Sequence, residues 1–488
     1  MKTHLLIFAA GAVGLLSSCA VGPDYRAPTA AEMGTPAAWH AKLPHGGTVT
    51  GIADWWKRFD DPVLTRFVEA AEQNSPTLAN ALGRVREARA SVKSSRSPLL
   101  PSLSGSGSVL RGKNISTPTA KTSGDSGESL NNSNGSISIV TSGSADASWE
   151  IDIFGGNRRS LEGSKARLNS AEADWHDARV TLAAEVAQAY TTAREYQNLI
   201  TVYEQALTSR QETERLTALK IREGLSPRAD GLSVEASTAS NASTLENQRG
   251  LYAQTLNQLV TLTGLSYADA ESRLGAAMSI PQIKNTIELA LPANTVSQRP
   301  DVRSSERLLA AASADIGTTI AAALPSLSLT GSIGINTTRA NGATTNLRSW
   351  SFGPSLNVPL FNGGANAAKI ESKRASYDQA LATYRSSVLT AVQEIENALV
   401  RIDTVTKRQT HTEKAAKSYA AYFTAIEQSY REGKSSLLQL EDARRQSLSA
   451  QETLLSVQLE QAQSWIALYK AVGGGWETTA LTPVATAN

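Results

Sequence analysis

Apolar and polar positions along this chain follow two periods, and each period occurs twice. Between Ser136 and Ile153 the odd positions Ile137, Ile139, Ala145, Ala147, Trp149, Ile151 and Ile153 are apolar, while the even ones include Ser138, Ser142, Ser144, Asp146, Ser148, Glu150 and Asp152. Leu327, Leu329, Ile333 and Ile335 alternate with Ser326, Ser328, Thr330, Ser332 and Asn336. Trp350, Phe352, Leu356, Val358 and Leu360 alternate with Ser349, Ser351, Ser355 and Asn357, and Pro101–Leu110 carries a weaker version with serines at 102, 104, 106 and 108. Period two predicts strands with one apolar and one polar face. The second period is the heptad. Leu182, Val186, Ala189, Ala193, Tyr196, Ile200, Tyr203 and Leu207 step by four and three, as do Leu381, Tyr384, Val388, Ala391, Ile395, Ala398 and Ile402. Such seams predict long helices in coiled-coil packing. The runs from about Asn157 to Glu223 and from about Gly364 to Glu432 would each form a rod of roughly 100 Å if unbroken.

The two sets are a duplication. Ser97-Pro98-Leu99-Leu100-Pro101-Ser102-Leu103-Ser104 is echoed by Ala322-Ala323-Leu324-Pro325-Ser326-Leu327-Ser328, with Pro101 and Pro325 separated by 224 positions, as are Pro76 and Pro300. Arg222-Glu223-Gly224 and Arg431-Glu432-Gly433 are separated by 209, as are Gly264 and Gly473. The change of offset assigns a length difference to the Ser/Gly/Asn-rich loop near 112–135, with a shorter counterpart near 339–348. Each copy reads helix, strand pair, long helix, tight turn, long helix.

In an outer-membrane barrel the apolar face of such strands meets lipid and the hydroxyl face lines water. The small residues of the polar face favour that reading over a soluble sandwich. Four strands cannot close a barrel, which takes about eight, and lipid tolerates no open edge. The wall must therefore be shared between copies, and three chains would supply 12 strands.

The 488 residues carry 47 basic and 45 acidic side chains, so no bulk charge points to nucleic acid. The single cysteine, Cys19, follows a basic start and an apolar run from Leu5 to Leu16. That run is shorter than the ~20 residues of a membrane-spanning helix and reads as a secretory signal core. Leu16-Ser17-Ser18-Cys19 resembles a lipobox, which makes residues 1–18 a lipoprotein signal peptide and Cys19 the lipidated first residue. Ala20 after the cysteine favours the outer membrane.

Taken in order, several segments resemble the outer-membrane efflux factors of the TolC/OprM type, in particular their NodT-like lipoprotein branch. They are Cys19-Ala20-Val21-Gly22-Pro23-Asp24-Tyr25, Asp54-Trp55-Trp56 with Phe59 and Asp61-Pro62, Arg299-Pro300-Asp301-Val302, Ala314-Asp315-Ile316-Gly317, Pro359-Leu360-Phe361-Asn362-Gly363-Gly364, and Leu468-Tyr469-Lys470 with Gly473-Gly474-Gly475-Trp476. The resemblance implies an α+β membrane protein. Its trimeric 12-stranded transmembrane β-barrel, four strands per chain, is joined to a long periplasmic α-helical barrel with a mixed equatorial domain. It implies a homotrimer that works with a periplasmic adaptor (a membrane fusion protein) and an inner-membrane pump of the resistance-nodulation-division class. It also implies covalent diacylglycerol and N-acyl lipid on Cys19, and no other cofactor. The function expected is that of an exit duct for multidrug or small-molecule efflux. A type I protein-secretion duct and a non-conducting, periplasm-spanning structural lipoprotein are the alternatives.

The expected organisation is a signal peptide over 1–18 and an N-terminal extended and equatorial segment over 19–73. A first repeat follows over 74–272, with strands near 101–112 and 136–153 and a tip turn at 224–230. After an equatorial linker over 273–297 comes a second repeat over 298–476, with strands near 325–338 and 349–361 and a tip turn at 433–439. Residues 477–488 form a tail. Gly224 and Gly433 suit the left-handed residue that ends a helix. By resemblance, Leu438, Asp442 and Arg445 match the gate that closes the tunnel. Threefold symmetry would crowd three Asp442 carboxylates unless Arg445, one turn on, supplies counter-charge. Glu441 departs from the pattern, standing where the family often has an apolar residue. Gly224, Leu225, Ser226, Gly433 and Lys434 are the candidates for adaptor contact, while Trp55, Trp56 and Phe59 read as packing anchors. His40 and His45 lack the partners of a zinc site, and no phosphate loop, dinucleotide fingerprint or nucleophile elbow occurs. The chain does not read as an enzyme.

Overall fold

The computed structural model describes residues 20–29, 31–41, 54–113, 137–283, 292–340 and 343–474. Cys19 and the signal segment, His45, most of the 112–135 loop and the C-terminal tail lie outside the described residues. The elements in order are α1 (Pro62–Asn74), α2 (Pro76–Arg96), β1 (Ser102–Lys113), β2 (Ile137–Ile151), α3 (Gly156–Arg222), α4 (Arg228–Thr263), α5 (Tyr267–Leu274), α6 (Pro292–Ser297), α7 (Pro300–Ala321), β3 (Ser326–Ala340), β4 (Ala343–Asn357), α8 (Ala365–Arg431) and α9 (Leu437–Ala471). The two long helices, α3 and α8, have 67 residues each. Contacts divide the chain into two units. One holds residues up to Arg26, Glu87–Leu168 and Leu308–Ala380; the other holds Ala27–Arg86, Asn169–Arg307 and Leu381 onward.

The first unit is built on one four-stranded antiparallel sheet in the order β1-β2-β3-β4. Register decides what its faces are. Leu103 pairs with Ala147, Trp149 with Leu329, Ile333 with Trp350 and Leu327 with Leu356, so the alternating apolar positions of the four strands share a face, with Leu110, Val140 and Leu347 on the other. The other face is a hydroxyl lattice, with Ser106–Ser144 at 2.9 Å, Ser108–Ser142 at 2.7 Å and Ser332–Ser351 at 2.9 Å. A one-residue slip would exchange the two faces. Neither face is buried within the chain: no described residue of the four strands is buried, and Trp350, Phe352, Leu356 and Leu103 on the apolar face are all exposed.

The structure corrects the second hairpin. The expected loop near 339–348 is largely strand, with pairing out to Ala340 and Ala343 and β4 starting at Ala343 rather than near 349. Residues 343–346 are polar or small on both faces, so alternation could not mark them. Asn341-Gly342 is the dipeptide that two-residue hairpins favour, and it was the available signal.

A short stretch after the cysteine is seated in this same unit. The Val21 amide donates to the Phe154 carbonyl (3.0 Å), and Arg159 donates to the Val21 carbonyl (3.2 Å), the Gly22 carbonyl (3.4 Å) and Asp24 Oδ1 (2.6 Å). The approach is close because both sides are glycine. A Cβ on Gly22 would lie 2.4 Å from Gly317 Cα, and one on Gly155 would lie 2.8 Å from Ala20.

In the second unit the heptad seams form the core. Leu182, Val186, Ala189, Ala193 and Tyr203 of α3 are buried, as are Tyr384, Val388, Ala391, Ile395, Ala398 and Ile402 of α8. Ile200 and Leu207 are only half-buried. Trp55 stacks on Tyr469 with ring centroids 4.9 Å apart and meets Trp56 and Phe59 edge-on, so the aromatic triplet packs as expected. Arg194 is fully buried and is satisfied by Tyr190, Gln197 and the Ala276 carbonyl; Tyr190 in turn donates to Asp61, the N-cap of α1.

Two neighbours on α3 titrate in opposition. Burial, aided by Arg179 and Arg303, holds His176 down at about 4, while burial, aided by Asp301 and opposed by Arg299, pushes Asp177 up to about 6. Unfolding therefore takes up a proton at His176 between pH 4 and 6.5 and releases one from Asp177 between 3.8 and 6. Stability rises with pH through the first window and falls through the second. The slopes, each at most one proton, nearly cancel in the parent. We expect His176→Gln to leave a protein that loses stability as pH rises from 4 to 6, and Asp177→Asn one that gains it. Melting temperatures across that range check the signs; parallel profiles would refute the assignment.

Candidate functional site: the helical tip

Each pair of long helices is joined by the same turn. Gly224 (φ +72°) donates to the Ile221 carbonyl and Leu225 to that of Lys220; Gly433 (φ +76°) donates to Tyr430 and Lys434 to Ser429. The paired i−3 and i−5 bonds are a Schellman closure, which needs the left-handed residue that glycine provides at least cost. Beyond the turns the copies differ. Pro227 precedes α4, and Ser226 Oγ donates to Asp230 (2.6 Å). In the second copy Ser436 and Gln439 form a reciprocal capping box that starts α9 firmly. All five candidate adaptor residues lie in these turns; Ser226 is half-buried and the other four are exposed.

The structure brings the three candidate gate residues onto one face of α9, spaced four and three apart. Leu438 projects into solvent at 80% exposure. Arg445 donates to Asp442 Oδ1 (2.6 Å), and Gln446 donates to its second oxygen (2.8 Å). Counted 209 positions back, the same sites in the first copy are Ala229, Ser233 and Ala236. The duplication has kept the turn and placed the charge pair in one copy only.

Glu441 does not join that face. It turns inward, where Arg210 of α3 donates to it at 2.5 Å and Arg444 of α9 is also paired with it. Those arginine side chains are only 9% and 3% exposed. Arg444 also donates to Ser209 (3.2 Å) and Thr213 (2.9 Å) and lies over the Phe423 ring; burial holds it below the usual arginine value. The carboxylate that departs from the family pattern is thus paired inside the bundle. This buried cluster was missed by sequence reasoning, although a signal existed: the α3 heptad, carried one step past Leu207, lands on Arg210, a charge at a seam position.

A hydroxyl-and-apolar sheet without buried faces, joined to long helical hairpins, defines a channel-forming outer-membrane protein. Residues 67–265 and 291–474 match the family described as Outer membrane efflux protein, and the chain belongs to it. It is 31% identical over 477 residues to Nodulation protein T of Rhizobium leguminosarum bv. trifolii, covering 96% of each chain. It is also 31% identical to the solvent efflux pump outer membrane protein SrpC of Pseudomonas putida, covering 95% of this chain and 97% of that one. Among solved structures, the outer-membrane channel OprN superposes with a TM-score of 0.80 at 29% identity, covering 94% of this chain and all of the other. The Campylobacter jejuni CmeC outer membrane channel gives 0.78 at 25%, covering 94% and 96%.

Proposed function

We propose that three copies of this chain pool their strands into a 12-stranded barrel and form the exit duct of a tripartite efflux pump. The carrying observation is the sheet. Its register gathers most of the large apolar side chains on one face and a serine lattice on the other, and among the described residues β1 and β4 each have an unpaired edge. Neighbouring copies satisfy those edges in the only manner lipid permits, by closure. The relatives' names, spanning nodulation, solvent and antibiotic efflux, support a duct whose cargo is selected elsewhere.

Lipid attachment at Cys19 is supported by the seat of Ala20–Asp24 beside the ends of β2 and β3 nearest the helices, the ends that face the periplasm in the barrel reading. The turn residues Gly224, Leu225, Ser226, Gly433 and Lys434 meet the adaptor, and a resistance-nodulation-division pump loads the complex. Leu438, Asp442 and Arg445 close the tunnel, Asp442 held toward the axis by Arg445 and Gln446. Asp442→Ala is expected to raise single-trimer conductance in planar bilayers severalfold, by removing three carboxylates and freeing three arginines. Unchanged conductance removes Asp442 from the gate.

A further inference from the structure

The six charged residues of the sheet are sorted by sign and by face. Asp146 and Glu150 stand on the serine face. Arg111 and Lys113 of β1, Arg339 of β3 and Arg348 of β4 stand on the apolar face, because Arg111 and Arg339 both pair with Ile139, Lys113 pairs with Ile137, and Arg348 pairs with Ile335. All four lie toward the hairpin ends, away from the helices. On that face each follows the last apolar side chain of its own strand, beyond Val109 in β1, Ile335 in β3 and Trp350 in β4, while β2 keeps Ile137 and Ile139 at their level. All four are exposed, and among the described residues none has a carboxylate at ion-pair distance.

We propose that this rim binds the phosphate groups of the phosphorylated glycolipid in the outer leaflet. The inference rests on the barrel reading, which makes the apolar face the lipid face and the hairpin ends the outer ones. Cations on a lipid face are costly at mid-bilayer but nearly free at its boundary, which is where these sit. Closure would join β4 of one copy to β1 of the next, bringing Arg348 and the neighbour's Arg111 and Lys113 onto the same face of one seam. Like charges gathered there, with no carboxylate at ion-pair distance among the described residues, call for an external anion. The guanidinium fork matches phosphate oxygens in pairs, and three of the four cations are arginines.

The test uses the full-length trimer in detergent, with bis-phosphorylated lipid A as probe. Controls are the same lipid stripped of phosphate and inorganic pyrophosphate. Lipid A should bind and raise the temperature at which the trimer dissociates; the stripped lipid should not. Each cation neutralised, from Arg348→Gln alone to the combined Arg111→Gln, Lys113→Gln, Arg339→Gln and Arg348→Gln variant, should weaken lipid A binding about fivefold. Conductance should be preserved. Equal binding of the stripped lipid, equal competition by pyrophosphate, or an unaltered affinity in the fourfold variant overturns the proposal. A chain that neither trimerises nor conducts overturns the barrel reading beneath it, whereas a conducting trimer indifferent to lipid A overturns this inference alone.

Discussion

Glu441→Ala is expected to destabilise the helical tip by about 3–5 kcal/mol, the range seen when one partner of a buried ion pair is removed. The carboxylate is the shared counter-charge of two arginines that water barely reaches. Without it Arg444 keeps only the Ser209 and Thr213 hydroxyls and the Phe423 ring. Arg210 loses the one carboxylate at ion-pair distance from it among the described residues. An arginine cannot escape by giving up its proton, so the helices must part enough to admit water. The effect belongs to the tip: amides of residues 209–217 and 440–447 should exchange faster by two orders of magnitude or more, while those near Trp55 and Tyr469 stay protected. Replacing all three partners at once, as Arg210→Met, Glu441→Leu and Arg444→Met, should recover most of the loss, because an apolar cluster of similar volume bears no desolvation cost. Unaltered exchange at the tip in Glu441→Ala would show the cluster to be energetically idle. Since Asp442 follows Glu441 directly, the gating proposed for Asp442 implies that loosening here should also broaden the distribution of conductance levels.

Much of this arrangement was legible in the sequence where a residue pattern repeats locally, and little of it where distant residues meet. The four strand segments stood out because Leu, Ile and Trp alternate with Ser, and the helices because their seams recur every seven residues. Register was not legible: only pairing shows that Arg111, Arg339 and Arg348 share a face with Trp350. Half of the candidate gate's surroundings were also hidden. Leu438, Asp442 and Arg445 could be set on one face by spacing, but the inward turn of Glu441 depends on Arg210, some 230 positions earlier. The seating of Ala20–Asp24 escaped altogether. Its determinants, Gly22, Gly155 and Gly317, lie in three separate segments, and a glycine's function as a missing side chain becomes visible only when another backbone occupies the space.

That seat gives the second large effect. Gly22→Val should dislodge the N-terminal segment from its groove. Gly22 has φ +97°, a conformation that side chains rarely adopt, and even a Cβ would overlap the Gly317 backbone, which has no flexible end to yield. Strain of about 1–3 kcal/mol for the conformation alone, added to the clash, exceeds what a few part-buried hydrogen bonds can offset. Release costs the Arg159 contacts to the Val21 and Gly22 carbonyls and to Asp24, leaving that guanidinium with Glu162. The readout is the Val21 amide, now bonded to Phe154, whose exchange should accelerate at least about a hundredfold. Gly317→Val should do the same from the opposite wall, since its Cβ would meet the Val21 carbonyl at 2.9 Å. Gly83→Ala is the control, an exposed helix position with nothing within 4 Å, where the change should stabilise by about 0.5–1 kcal/mol. If Val21 stays protected in both valine variants, the segment is held by something other than glycine-to-glycine contact.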